Sequence, residues 1–268
     1  MTDVDVEDLV WIALVAARAA AHLVRERSEG TVTVADTKTS DIDVVTEADR
    51  AAETLIRDTI RGLRPDDAFL GEEGDDEPGT TGVRWVIDPI DGTVNFLYGL
   101  PQYAVSIAAE LDGTVVAGVV LDVANRTEYV ARTGPEGPSA HRNGESIGVR
   151  GPAPLAQRLI ATGFSYDRDV RAVQAAALAR LLPRIRDVRR LGSCALDLCL
   201  VADGRLDGYV EEGVNLWDHA AAGLIAQAAG ARLELGPGAG GSTLLICAPD
   251  HGFEEFRTAV DEAGFGAP

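Results

Sequence analysis

The hydrophobic positions of the first half of the chain predict two amphipathic helices followed by strands. Apolar residues recur at the spacing of one helix face over residues 7–27, and Gly30 marks the end of that helix. A second helix is predicted from Thr46, a capping residue with Asp49 at the third helical position, to about residue 63. Strands are predicted at residues 68–70, 85–87, 103–108, 114–120 and 127–131, with a hairpin turn at Asp112-Gly113.

The second half of the chain changes to an alternation of strands and helices. Strands are predicted at residues 158–162, 187–190, 206–210 and 243–247, and helices at 168–182, 194–202, 217–229 and from Asp250 onward. The acidic stretch 74–82 is predicted to be an exposed, mobile loop, and the glycine run 236–241 a flexible one. Antiparallel strands in the first half and alternating elements in the second favour a mixed α/β class.

Composition narrows the possible partners. The 268 residues include 24 Lys and Arg against 43 Asp and Glu, a formal charge of −19, which argues against binding nucleic acid or anionic membranes. The three cysteines form no CxxC pair or disulfide framework, which suggests a reducing compartment. The first eight residues lack the features of a signal peptide, and no apolar run reaches the ~18 residues of a membrane span. We therefore expect a cytoplasmic protein.

The stretch 85–96 combines two acids, a proline, a glycine and a hydroxyl residue directly after a buried strand. Pro89 restricts the backbone of Asp88 as well as its own, so both Asp88 and Asp91 can point to one side of a stiff turn. Gly92 allows a sharp turn and close approach to a ligand, and Thr93 is a candidate cap for the next helix. Two acids suit a hard cation, and a glycine with exposed amides suits a phosphate.

Seven acids occur where a predicted strand ends or a helix begins. They are Asp49, Glu72, Glu73, Asp88, Asp91, Glu211 and Asp218. Each alone is explained as a helix cap or a solvated surface acid, but such positions converge at one edge of a layered α/β fold. Crowded carboxylates repel one another, so the group implies bound cations. The absence of His and Cys from the group favours magnesium or manganese over zinc.

Three motifs together resemble the inositol monophosphatase family. They are residues 88–93 with Asn95-Phe96, the triplet 71–73, and residues 217–223. Residues 38–49 also resemble that family's segment before its second helix, so the resemblance covers nearly the whole chain. It implies a layered αβαβα sandwich of the sugar-phosphatase type in one domain, 1–268. Residues 1–150 would form an N-terminal α+β half with most metal ligands, and residues 151–268 an α/β half with substrate contacts and the last metal ligand.

The resemblance also implies a role for each matching residue. One Mg²⁺, for which Mn²⁺ is a possible substitute, would be held by Glu72, Asp88 and the Ile90 carbonyl. Asp88 would bridge to a second ion that Asp91 and Asp218 also hold, and Thr93, supported by Asp49 and Glu72, would orient and deprotonate the attacking water. Substrate contacts are implied for Ile90, Asp91, Gly92, Thr93, Gly192, Ser193, Cys194, Glu211 and Asp218.

These roles describe a magnesium-dependent phosphatase acting on a small polyol phosphate. Ile90 and residues 93–96 favour inositol 1-phosphate, while histidinol phosphate, fructose 1,6-bisphosphate and 3′-phosphoadenosine 5′-phosphate stay open. An acidic protein that binds divalent cations without catalysis is the alternative from another class, although it would not need the hydroxyl of Thr93. The resemblance further implies a homodimer and inhibition by lithium. His219 is predicted to have a packing or surface role, and Lys38 either lies near the metal loop or is solvated.

Overall fold

The computed structural model describes residues 4–30, 34–37 and 44–267. Lys38 and the rest of segment 38–43 lie outside the described residues. The helices are α1 Val6–Ser28, α2 Glu47–Leu63, α3 Thr93–Tyr98, α4 Arg168–Leu181, α5 Cys194–Ala202, α6 Leu216–Ala228 and α7 Phe253–Ala263. The strands are β1 Val34–Thr37, β2 Val44–Thr46, β3 Ala68–Gly71, β4 Val83–Asp91, β5 Ala104–Leu111, β6 Thr114–Asp122, β7 Thr127–Arg132, β8 Ser139–Arg142, β9 Glu145–Ser146, β10 Leu159–Thr162, β11 Asp187–Arg189, β12 Gly208–Glu212, β13 Ala231–Pro237 and β14 Thr243–Pro249.

The strands form two large sheets and one small hairpin. The first sheet has the order β3-β4-β5-β6-β7-β8-β9, the second has β11-β10-β12-β14-β13, and β1 pairs with β2. The first sheet is antiparallel except where β3 lies parallel to β4, and the second mixes parallel and antiparallel pairs. The turn at Asp112-Gly113 joins β5 to β6 with φ angles of 50° and 80°, as a tight hairpin requires.

Three apolar cores hold five layers together, the central core extending over both sides of the middle helix layer. Helices α1 and α2 cover one face of the first sheet, and α5 and α6 fill the space between its other face and the second sheet. Helices α4 and α7 cover the outer face of the second sheet. The order is therefore helix, sheet, helix, sheet, helix, which confirms the expected αβαβα sandwich. Within the described part of the chain, no helix is long and apolar enough to cross a membrane.

Several predicted elements differ in extent from the observed ones. The Gly- and Pro-rich piece 134–144 contains β8, and residues 231–237 form β13, neither of which the hydrophobic pattern predicts. Both strands gain their hydrogen bonds from neighbours in the sheet rather than from a strong pattern of their own, and β13 is an edge strand that tolerates its proline. The predicted loop 236–241 therefore begins two residues too early.

The acidic stretch 74–82 is largely exposed, as predicted. Glu77 pairs with Phe69 at the open side of β3, through backbone hydrogen bonds of 2.8 and 2.9 Å. The hydroxyl of Thr81 donates to Asp67 at 2.6 Å. These contacts attach the stretch to the edge of the first sheet, and its residues do not line the large pocket described below.

Candidate active site

A cavity of about 580 Å³ opens where the end of β4 faces the end of β12 and the starts of α3, α5 and α6. Its lining comprises Glu72, Asp88, Ile90, Asp91, Gly92, Thr93, Phe164, Ser165, Tyr166, Asp167, Arg190, Gly192, Cys194, Glu211, Glu212, Gly213, Val214, Asn215, Trp217, Asp218 and Ser242. The pocket thus gathers most of the predicted site residues from both halves of the chain. Three of them lie outside the lining: Asp49 and Ser193 sit behind lining residues, and Glu73 donates its amide to Glu53.

The end of β4 brings Asp88 and Asp91 to the same pocket. Side chains three residues apart on a regular strand point to opposite faces, but the pairing of β4 with β5 is irregular between these two residues. Pro89 lies in this irregularity, where the loss of its amide donor costs no ladder hydrogen bond. The backbone amide of Ile90 donates to Asp88 at 3.1 Å and so closes the turn.

Carboxyl groups on this side of the pocket perturb one another. Burial raises the pKa of Asp88 well above its usual value, and Glu72, Asp91 and Asp218 raise it further. Burial followed by repulsion from Glu72 likewise raises the pKa of Asp218. No described Lys or Arg forms an ion pair with Asp88, Asp91 or Asp218. These acids face other acids, an arrangement that a cation would stabilise.

Asp91 has a second set of contacts, at the start of α5. Its carboxylate accepts from the Ser193 hydroxyl at 2.5 Å and from the backbone amides of Cys194 and Ala195 at 3.2 and 2.7 Å. Burial raises the pKa of Asp91 to about 7, although the bonds from Ser193 and Ala195 oppose the rise. The expected substrate contacts of residues 192–194 therefore have a competitor, because the Ser193 hydroxyl and the Cys194 amide already bind Asp91.

The predicted metal ligands, which are four carboxylates and the Ile90 carbonyl, have the chemistry that a hard cation prefers. All of the predicted side-chain ligands are carboxylates, which prefer magnesium or manganese to zinc. Within residues 4–30, 34–37 and 44–267, however, no three His, Cys, Asp or Glu side chains converge closely enough to hold an ion as they stand. The carboxylate of Asp218 also accepts from the Asn215 amide at 2.5 Å, in the capping box of α6. Ligation would therefore need the side chains to turn further toward one another.

Thr93 joins the β4 turn to the start of α2. Its Oγ1 lies 3.0 Å from Asp49 Oδ1 and 3.0 Å from the Ile90 carbonyl oxygen. Asp49 is fully buried, accepts from the Thr46 amide at 2.8 Å and from its hydroxyl, and has a pKa that burial raises. The capping box of Thr46 and Asp49 confirms the predicted start of α2.

The expectation that Thr93 caps the following helix is wrong. Gly92 occupies the N-cap position with a φ of 97°, and Thr93 is the first helical residue. A Cβ on Gly92 would lie 2.8 Å from the Gln102 carbonyl oxygen, so both the left-handed backbone and the close packing require glycine. The hydroxyl of Thr93 is therefore available to the pocket instead of to the helix backbone.

The second sheet contributes Glu211 opposite the acids of β4. Burial raises the pKa of Glu211, while a hydrogen bond from the Tyr209 hydroxyl and the charge of Arg190 lower it. A Cβ on Gly163 would lie 1.9 Å from the Glu211 carboxyl group, so only glycine leaves room for this acid. Arg190 is the one cationic side chain among the described residues that line the pocket. Sequence reasoning missed it, although its position directly after β11 and before the turn at Gly192 was a usable signal.

The burial of three further residues in or near the pocket, His219, Trp217 and Cys194, indicates their roles. His219 is 8% exposed, lies outside the pocket lining and has a pKa that burial lowers, which confirms its packing role. Trp217 packs against the central core and also lines the pocket. Cys194 lines the pocket as well, and burial holds the pKa of its thiol well above the usual value, so the thiol stays protonated.

Comparison with known proteins identifies the group of enzymes to which this site belongs. The inositol monophosphatase family matches residues 5–255. The chain is 49% identical over 225 residues to an inositol-1-monophosphatase of Mycobacterium bovis, covering 81% of this chain and 78% of the relative. It is 40% identical over 221 residues to the Nus factor SuhB of Pasteurella multocida, covering 82% of each. The solved structure of Mycobacterium tuberculosis SuhB superposes with a TM-score of 0.80 at 41% identity, covering 98% of this chain and 99% of that one. The chain therefore belongs to the inositol monophosphatase family and is a phosphoric monoester hydrolase.

Proposed function

We propose that this enzyme hydrolyses a small polyol phosphate, with myo-inositol 1-phosphate as the first candidate, in the presence of Mg²⁺ or, as a substitute, Mn²⁺. The observation that carries this proposal is the pocket itself. The hydroxyl of Thr93, held 3.0 Å from Asp49, lies beside the acids Glu72, Asp88 and Asp91 on one wall. Relatives named inositol-1-monophosphatase support the same substrate.

The proposed metal ligands are the carboxylates of Glu72, Asp88, Asp91 and Asp218 with the Ile90 carbonyl. When bound, magnesium supplies the positive charge that attracts the phosphate and makes a water acidic enough to attack it. Asp88, Asp91 and Asp218, whose pKa values burial raises, are then ionised, because a neighbouring cation favours the charged form. The net charge of −19 is compatible with an anionic substrate for the same reason.

Thr93 and Asp49 are proposed to guide the attacking water. A hydroxyl has one proton to donate and can accept at the same time. While Thr93 donates to Asp49, its oxygen can accept a hydrogen bond from a water in the pocket, which fixes the orientation of that water. Asp49 holds the Thr93 rotamer through α2. As the water attacks phosphorus, its proton can pass to the Thr93 oxygen while the Thr93 hydroxyl proton moves to the Asp49 carboxylate; the ester bond breaks, and the alcohol oxygen takes a proton from solvent water.

The alcohol end of the substrate is proposed to face the second sheet. Glu211 can accept hydrogen bonds from ring hydroxyls, and Arg190 can donate to them. The turn at Gly92 and Thr93 is proposed to bind the phosphate through its amides. Fructose 1,6-bisphosphate, histidinol phosphate and 3′-phosphoadenosine 5′-phosphate are the competing substrates.

A side-by-side assay tests the substrate. Phosphate release from the four esters is measured with saturating magnesium, and inositol 1-phosphate is expected to have the highest kcat/KM. A higher value for any of the other three would overturn the first choice. Thr93→Val should lower kcat about 10²-fold, as loss of one preorganised group does, whereas Thr93→Ser should retain most of it.

Three further properties complete the proposal. We expect millimolar lithium to inhibit the reaction, and insensitivity to lithium would place the enzyme in a divergent branch. We also propose that the protein is a homodimer and is cytoplasmic. Light scattering of the purified protein tests its oligomeric state. The alternative of a cation-binding protein without catalysis is wrong, because the family membership assigns phosphatase activity.

A further inference from the structure

A buried glutamine on α4 connects to the pocket without lining it. Helix α4 is alanine-rich and lies on the outer face of the second sheet. Its polar residue Gln174 is nevertheless only 1% exposed. Its Oε1 accepts from the Ser165 amide at 2.9 Å, and its Nε2 donates to the Glu212 carbonyl oxygen at 3.0 Å. Both partners fix the same orientation of the side-chain amide. Because both Ser165 and Glu212 line the pocket, Gln174 joins two parts of its wall.

The same helix holds Ser165 from a second side. The guanidinium of Arg171 donates to the Ser165 carbonyl oxygen at 2.9 Å, so the amide and the carbonyl of one loop residue are both held by side chains of α4. The Ser165 hydroxyl in turn accepts from the Asp167 amide at 3.0 Å. The loop that carries Phe164, Ser165 and Tyr166 into the pocket is therefore positioned by α4.

Glu212 extends this network to a third loop. Its Oε1 accepts from the Ser242 amide at 3.0 Å, and Ser242 also lines the pocket. A Cβ on Gly238 would lie 2.2 Å from the Glu212 carboxyl group, and one on Gly240 would lie 2.9 Å from Oε1. The glycine run therefore packs directly on the buried side chain of Glu212, which links the loop to the end of β12.

We propose that Gln174 is a positioning residue that sets the shape of the alcohol end of the pocket and so the preference among phosphate esters. The inference rests on the proposed function only in placing the alcohol against the second sheet. The network joins the segments of Ser165, Glu212 and Ser242, which lie on this side of the pocket. The phosphate and the attacking water are instead proposed to bind at the β4 turn. A loosened network therefore weakens recognition of the alcohol and leaves recognition of phosphate intact.

Gln174→Met tests this, since methionine keeps the volume of the side chain and removes both hydrogen bonds. We expect KM for inositol 1-phosphate to rise about tenfold, the cost of one or two ordinary hydrogen bonds. The inhibition constant of inorganic phosphate and kcat should stay within about twofold, because phosphate does not reach the second sheet. Arg171→Met should raise KM in the same way, and it tests the inference independently if Gln174→Met fails to fold.

Arg180→Met is the matched control, because Arg180 lies on the same helix and binds the Ala263 carbonyl oxygen at 2.6 Å, away from the pocket. It should leave KM and the phosphate inhibition constant unchanged. The inference is overturned if Gln174→Met and Arg171→Met leave KM unchanged, if they raise both constants equally, or if Arg180→Met behaves as they do. If the wild type hydrolyses another of the four esters best, the proposed substrate is wrong, and KM for that ester is compared instead.

Discussion

Two groups of buried acids lie on either side of the turn at residues 71–74, and they differ in what surrounds them. On the α2 side, Glu53 is 2% exposed and accepts from Arg57 Nε at 2.8 Å and from the amides of Glu73 and Gly74 at 2.8 and 3.0 Å. On the pocket side, Asp88 is 1% exposed, and its charged neighbours are acids. Equal burial thus has opposite electrostatic consequences.

The difference separates a structural carboxylate from a functional one. A buried acid with a guanidinium and two amides as donors is compensated within the chain, so it fixes local structure. Acids that face each other lower stability, and proteins retain such arrangements at sites where a ligand offsets the cost. Substitutions on the two sides should therefore have opposite effects.

The largest effect is expected from Glu53→Ala. This change leaves the buried Arg57 with only the more exposed Glu77 as an acidic partner. It also removes the carboxylate that accepts from the amides of Glu73 and Gly74, so the free energy of unfolding should fall by about 3–5 kcal/mol. Urea denaturation at pH 7 measures the change. A loss below ~1 kcal/mol would show that the contrast between the two groups is not electrostatic.

Asp88→Asn should raise the stability of the metal-free protein, unlike Glu53→Ala, and should remove activity. Phosphate release with magnesium should fall about 10²–10³-fold or more, since a group that organises charge at the reaction centre is lost. In EDTA, the free energy of unfolding should rise by about 1 kcal/mol, because one of the facing acids becomes neutral. A destabilised Asp88→Asn protein in EDTA would contradict the assignment of repulsion to this side.

Stability of the metal-free protein should depend on pH in a defined window. The folded-state pKa of Asp91 is about 7, above the ordinary value of 3.8, so between these values the folded chain holds a proton that the unfolded chain has lost. The contribution of Asp91 to the free energy of unfolding should therefore fall as pH rises from about 4 to 7, by up to about 1.4 kcal/mol per unit, and level off above pH 7.

Urea denaturation in EDTA across this range measures the slope. Asp91→Asn should make the slope shallower, because one of the titrating carboxyl groups is gone, while Asp88 and Asp218, whose pKa values are also raised, keep part of it. Added magnesium should stabilise the protein more at pH 7.5 than at pH 5, since the ion binds the ionised acids. A stability that rises with pH in EDTA would refute the expected sign.

The smallest effect is expected from Glu77→Ala, a matched control for Glu53→Ala. Glu77 binds the same Arg57 at 3.0 Å and Arg61 at 2.8 Å, but its side chain is 44% exposed. Water replaces much of the lost interaction, so the free energy of unfolding should change by less than ~1 kcal/mol. A loss as large as that of Glu53→Ala would show that exposure does not divide these acids.

The parts of the site that could be predicted from the sequence are those whose contacts join residues close together in the chain. The Thr46–Asp49 capping box and the turn at residues 88–93 are local in sequence, and both formed where the pattern placed them. Gly192 and Cys194 also line the pocket, as predicted. The hydrogen bonds from the amides of Cys194 and Ala195 to Asp91 could not be predicted, because Asp91 lies about a hundred residues away in the sequence. Arg190 and Gln174 were missed for a similar reason, since their significance depends on neighbours in other loops.

The sequence by itself determined the elements whose signals are short-range. The helical periodicity, the caps, the hairpin turn and the spacing of acids around Pro89 follow from steric and hydrogen-bonding preferences of adjacent residues. Only the tertiary structure decided which acids are compensated. Glu53 and Asp88 are both single carboxylates in the sequence, but packing places Arg57 and two amides around one and other acids around the other. Burial removes water from both, so the identity of neighbours distant in the chain determines whether each acid stabilises the fold or creates a site.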